Sequence, residues 1–237
     1  MTAHSSNSLP AVPIRAILFD LDGTLVQTEK VAVDSLVKVL SDFGTHLPPE
    51  LAWGCFGKKW NVAIDLIFKA LGKDAPKATP DEVLRASLAE YRFRLKKQGP
   101  VAIPGAREFI ESLPSDLKIA IVTGSYREDA FAVVDQWRIR SRFTEIVGSE
   151  DYPESKPSPQ GYLLGLKKLG CTPEESLCFE DSPAGIASAR AAGLRVVVVT
   201  ETHRELGVAP DLTGAHLKIQ NFTDMTLEKI TALLARV

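Results

Sequence analysis

"AILFDLDGTLVQTE", residues 16–29, is the stretch on which the fold turns. Four apolar residues lead into Asp20, and a second carboxylate, Asp22, follows two positions later, ahead of Gly23 and Thr24. In extended backbone, residues i and i+2 project to the same side. The spacing therefore predicts two carboxylates facing one way at the end of a buried strand, with Leu21 facing the other. Like charges so close repel. The pair needs compensation, most simply a bound cation, and it needs a use.

Beyond this strand the pattern changes period. Residues 29–44 and 61–72 carry apolar residues at helical spacing and stop on Gly44 and Gly72. Residues 79–99 open with Thr79 as a helix cap and Pro80 at the first helical position, and close with Lys96, Lys97 and Gly99. From residue 101 onward, short apolar runs at 117–122, 145–147, 176–179 and 194–199 alternate with helical stretches at 126–137, 158–169 and 183–192. Such alternation predicts an α/β fold, a Rossmann-like parallel sheet with helices on both faces. The first strand precedes the helical block. The expected organisation is thus a disordered tail at 1–13, an α/β core made of 14–27 plus 101–237, and an inserted α-helical domain at 28–100.

Composition narrows the function. The chain has 237 residues, 45% hydrophobic and 24% charged, with a net charge of −2. No basic field is available for nucleic acid or an anionic membrane, and no apolar run is long enough to span one. The first residues, "MTAHSSNSLPAVP", lack the features of a signal or transit peptide. Cys55, Cys171 and Cys178 have no metal-ligand spacing and read as free thiols in a reducing compartment. A cytoplasmic protein, a monomer or weak dimer, is expected.

In open parallel sheets the ligand site lies at the carboxyl ends of the strands. The residues there are Asp20 and Asp22, then Thr123, Gly124 and Ser125, then Lys156 in "ESKPSPQ", then Glu180 and Asp181. Clustered acids suit a hard cation such as Mg²⁺, and a lysine with a hydroxyl–glycine–hydroxyl turn suits an anion. Each piece alone has an ordinary reading. The aspartates could form a strand-end turn, Thr123–Ser125 a helix cap, Lys156 a solvated cation ahead of a helix opened by Pro157, and Asp181 the cap of a helix at Pro183. Together, at four strand ends, they read as a site for phosphoryl chemistry.

"FDLDGTL", "IVTGS", "SKPSP" and "FEDSPAGI" resemble, in order, the four motifs of the haloacid dehalogenase superfamily, in the branch with a helical cap after the first motif. That branch holds sugar phosphatases, β-phosphoglucomutase and pseudouridine-5′-phosphatase. The resemblance implies a phosphatase of a small phosphorylated metabolite, a sugar phosphate or nucleotide-like ester, with Asp20 as nucleophile and Asp22 as general acid and base. It implies Mg²⁺ held by Asp20, the Asp22 backbone carbonyl and Asp181, with Glu180 nearby, and phosphate held by Thr123, Gly124, Ser125 and Lys156. Ser155 and Gln160 depart from the family's Gly and Asp. A phosphomutase is the rival, although Trp60 and Ala63 stand where β-phosphoglucomutases carry Arg and Ser. A non-catalytic binding protein would have lost at least one of Asp20, Asp22, Lys156 or Asp181, and none is lost. In "CFGKKWN", the loop through Phe56, Lys58, Lys59 and Trp60 is expected to read the leaving group.

Overall fold

The computed structural model describes residues 13–55, 58–223 and 225–234. The chain begins with β1 (Ala16–Phe19) and continues through four helices: α1 (Glu29–Asp42), α2 (Pro49–Trp53), α3 (Trp60–Leu71) and α4 (Pro80–Gln98). It then alternates: α5 (Ala106–Ser112), β2 (Lys118–Val122), α6 (Arg127–Gln136), β3 (Glu145–Val147), α7 (Gln160–Leu169), β4 (Ser176–Glu180), α8 (Pro183–Ala191) and β5 (Arg195–Val199). Last come α9 (Glu201–Leu206), β6 (Leu217–Ile219) and α10 (Leu227–Leu234). The six strands form one parallel sheet in the order β3-β2-β1-β4-β5-β6. Strand order reverses at β1, between β2 and β4, which opens the crevice where α/β sheets bind ligands.

The unbroken apolar runs follow from burial on both faces. Ile17, Phe19, Ile119, Ile121 and Phe179 face α5, α6 and α10, whereas Leu18, Ala120, Val122 and Cys178 face α7 and α8. The first face is aromatic: Phe19 stacks on Phe179 at 4.9 Å, and Phe109 meets Phe179 at 5.6 Å and Phe222 at 5.2 Å. Helices α1–α4 enclose their own apolar cluster, with Leu36, Leu40, Ile64, Ile67, Val83 and Tyr91 inside it. The chain enters and leaves this block through two segments that run side by side. Gln27 N donates to Val101 O at 2.8 Å and Ile103 N to Leu25 O at 2.9 Å.

The local signals act as expected at α4, where Thr79 and Glu82 form a capping box and Pro80 takes the first helical position. Gly44 and Gly99, with φ of +76° and +75°, follow α1 and α4 in backbone that a side chain would strain. The helix expected to open at Pro157 instead begins at Gln160. Residues before it are drawn into a turn closed by Ser158 N on Ser155 O at 3.0 Å. Strand β6 has no signal of its own, being three residues long at the sheet edge with Lys218 exposed. Among the described residues no helix is long and apolar enough to cross a membrane.

Phe109 is 2% exposed and touches three other rings. Phe109→Ala should lower unfolding free energy by about 3–5 kcal/mol, the usual loss for a buried aromatic. Val101→Ala, at a 55% exposed position, should change it little. Urea denaturation of both variants checks this.

Candidate active site

Asp20 directly follows β1, with its amide donating to Phe179 O at 2.9 Å. Its carboxylate is 2.5 Å from the Lys156 ammonium, which lies equally close to Glu180. All three side chains are almost wholly buried. Asp22 turns elsewhere. One oxygen accepts from Thr28 Oγ1 and, at 3.4 Å, from Tyr91 Oη; the other accepts from Thr123 Oγ1 at 3.1 Å and Ser125 Oγ at 2.7 Å. The two aspartates thus do not rely on one shared counter-ion. Asp20 has a lysine, and Asp22 hangs on a set of hydroxyls.

Glu180 and Asp181 divide along similar lines. Glu180 accepts from Lys156 and Tyr162 Oη on one oxygen, and from the Asp181 and Ser182 amides and Ser182 Oγ on the other. Both its oxygens are engaged. Asp181 does not cap α8; Ser182, next to Pro183 at the first helical position, does so by accepting from Gly185 N at 3.0 Å. Asp181 is left 1% exposed with Oδ2 lacking any hydrogen-bond partner. His203 Nε2 stands 3.9 Å from that oxygen, and burial lowers the imidazole's pKa, which favours its neutral form.

Two glycines make this crowding possible. A Cβ on Gly23, whose φ is +84°, would lie 2.0 Å from Asp181 Oδ2. A Cβ on Gly185 would lie 2.0 Å from the Glu180 carboxylate. Gly124 faces the helical block, where a Cβ would meet the Lys58 backbone at 3.5 Å. Thr123 and Ser125 do not cap α6, which begins after Tyr126. Their hydroxyls serve Asp22 instead.

Oxygens of Asp20, Glu180 and Asp181 lie within 4.8 Å of one another. With Lys156 opposite, three carboxylates face one ammonium, an excess of two negative charges if all ionise. Burial pushes the Asp20 carboxyl up to about 8, with Lys156 opposing and Glu180 and Asp22 adding to the rise. Burial likewise holds Asp181 well above the usual range, aided by Asp20, Glu29 and Glu180. Burial disfavours the Lys156 charge too, but Asp20 and Glu180 outweigh it and its pKa rises. A hard divalent cation fits this donor set, since it would occupy the unpartnered Asp181 oxygen and balance the excess charge. The Asp22 carboxylate lies outside the cluster.

Above the site is a cavity of about 60 Å³, walled by Asp20, Asp22, Lys58, Trp60, Tyr91 and Gly124 among others. Trp60 both packs in the helical cluster, 5.2 Å from Tyr91, and reaches the cavity wall. Phe56 and Gly57 fall outside the described residues. Lys59, expected beside Lys58 at the leaving group, does not line the cavity. It is 4% exposed and its ammonium donates to Ser149 O at 2.7 Å and to Tyr152 O. A cationic chain buried there is satisfied by carbonyls rather than by an anion. Thr28, Tyr91 and Tyr162 carried no motif signal, because each acts through a contact distant in sequence or lies just outside the quoted motifs.

The raised Asp181 carboxyl has a measurable consequence. Its folded pKa lies above the unfolded one, near 3.9, so the native state holds the proton longer and stability falls as pH rises above about 4. In metal-free protein, Asp181→Asn should raise Tm at pH 7, by more than at pH 5, and should abolish stabilisation by added Mg²⁺. Thermal unfolding at both pH values, with and without the ion, checks both parts.

The haloacid dehalogenase-like hydrolase family matches residues 17–199. A phosphorylated carbohydrates phosphatase of Thermotoga maritima is 27% identical over 183 residues, 76% of this chain and 82% of that protein. Protein CbbY of Rhodobacter capsulatus is 29% identical over 234 residues, 93% of this chain and 99% of that protein. Among solved structures, CbbY from Rhodobacter sphaeroides in complex with xylulose-(1,5)-bisphosphate superposes with a TM-score of 0.79 at 24% identity, covering 91% of this chain and 98% of that one. A β-phosphoglucomutase from Clostridium difficile gives 0.80 at 20% identity, covering 94% and 98%. At these identities the structures speak for a common fold. The family match spans the sheet from β1 to β5 and every strand end described above, and the chain belongs to the haloacid dehalogenase-like hydrolases.

Proposed function

We propose that the protein is a Mg²⁺-dependent phosphatase of small phosphomonoesters, working through an aspartyl-phosphate on Asp20. The observation that carries this reading is the junction of Asp20 and Lys156, 2.5 Å apart, beside the unpartnered oxygen of Asp181 and the suspended carboxylate of Asp22. The relatives named as phosphatases support it. We take helices α1–α4 as a cap domain, residues 28–100, over a core of 14–27 and 101–237.

In this mechanism Asp20 attacks phosphorus in line, and the bond to the leaving oxygen breaks as the bond to the carboxylate forms. Asp22 gives its proton to the departing alkoxide, then takes one from the water that hydrolyses the aspartyl-phosphate. Thr28, Tyr91, Thr123 and Ser125 hold that carboxyl beside the leaving oxygen. Lys156 and the backbone around Gly124 bind the phosphoryl oxygens, while the Thr123 hydroxyl stays with Asp22. Glu180, with both oxygens engaged, orients Lys156 rather than binding metal directly. A bound Mg²⁺, held by Asp20 and Asp181, would supply positive charge opposite the phosphoryl group.

A mutase must grip a second phosphate from the cap. Trp60 and Ala63 on the cavity wall offer no charge and Lys59 is committed elsewhere, which leaves Lys58 on that wall to face a second phosphate; hydrolysis is the favoured reading. Wild-type protein should release phosphate from a panel of phosphorylated metabolites with Mg²⁺ and lose that activity in EDTA. Asp20→Asn should abolish turnover, and Asp22→Asn should lower kcat by about 10²–10⁴-fold. Near-wild-type rates for Asp20→Asn, or full activity after exhaustive chelation, would exclude the mechanism.

A further inference from the structure

Lys59 immediately precedes α3 and reaches down to the loop after β3. Its ammonium donates to Ser149 O and Tyr152 O and lies 3.9 Å over the Tyr152 ring. Its backbone amide donates to Ser155 Oγ at 3.2 Å. These contacts all fall in the loop after β3, which is itself tied to the loop after β2. Ser155 adjoins Lys156. Tyr152 donates its hydroxyl to Thr123 O at 2.9 Å, and Ser149 N donates to Ser125 O at 2.8 Å. Ser155 stands where the family motif often has glycine, which has no hydroxyl to offer. This departure from the motif and the lysine that misses the cavity therefore meet each other.

We propose that Lys59 and Ser155 form a clasp that shuts the helical block over the site and, in shutting, sets the loops after β2 and β3. Lys59 is a positioning residue that touches no substrate. An ammonium between two carbonyls and an aromatic face is well held only when the block is seated, since withdrawal strips it of all three partners. Closure and the arrangement of Lys156 and Thr123 are then one event. Its catalytic consequence rests on the phosphatase reading, whereas its structural part does not.

Hydrogen exchange and phosphate-release kinetics on wild type, Lys59→Met and Ser155→Ala test this. Lys59→Met should speed amide exchange across 122–126 and 148–156 by about 10-fold or more, the worth of a hydrogen bond from a charged group, with α1 and α4 exchanging as in wild type. Its kcat/KM should fall by a similar factor on every ester, p-nitrophenyl phosphate included. Ser155→Ala should show the same pattern at about 3-fold, the worth of a neutral bond, and covers the case in which Lys59→Met does not fold. Unchanged exchange in both loops would overturn the clasp. So would losses that differ between substrates, which would make Lys59 a substrate contact. A wild type inactive on every ester would instead remove the phosphatase reading and leave the exchange result to decide the clasp.

Discussion

The buried Lys156 ammonium, lodged between Asp20 and Glu180, is the contact on which the rest of the site depends. It ties the end of β1 to the end of β4 and to the loop beyond β3 in a place without solvent. A buried charge with a partner removed costs about 3–5 kcal/mol, so none of the three can be lost cheaply. Their neighbours are shaped accordingly. Gly185 leaves room for Glu180, Tyr162 takes up its remaining acceptor capacity, and Gly23 lets Asp181 approach the cluster.

The protein tolerates imbalance here rather than removing it. An apolar packing of the same volume is often as stable or more so, yet the cluster keeps an acid with a bare oxygen and three carboxyl groups to one ammonium. Strain of this kind concentrates where groups must be ready for a ligand. The second aspartate shows the complementary solution. Asp22 lies outside the acidic cluster and is held by hydroxyl partners instead of an ammonium.

Much of this was legible in the residues because the relevant signals are local. Apolar runs ending on acids mark strand ends, Thr79-Pro80 marks a helix start, and the alternation after residue 101 implies a parallel sheet. What escaped was either short or remote. β6 is three residues at an edge. Tyr91 meets Asp22 across 69 residues, in the middle of a helix whose own pattern calls only for an apolar face. Lys58 and Lys59 look alike in sequence, yet one lines the cavity and the other is buried against carbonyls. Neighbouring residues at a helix start point in different directions, and only the packing of the two lobes decides which finds the site.

The paired segments at 25–27 and 101–103 carry a consequence of another kind. Because the two crossings hydrogen-bond to each other, the ends of the helical block lie close together, as the ends of an independently folding unit commonly do. The sheet therefore sees the block much as it would see a short hairpin. A different helical module with equally close ends could be spliced between these segments without disturbing strand register. What such an exchange would have to rebuild is the contact of Tyr91 with Asp22 and those of Lys59 with the loop after β3.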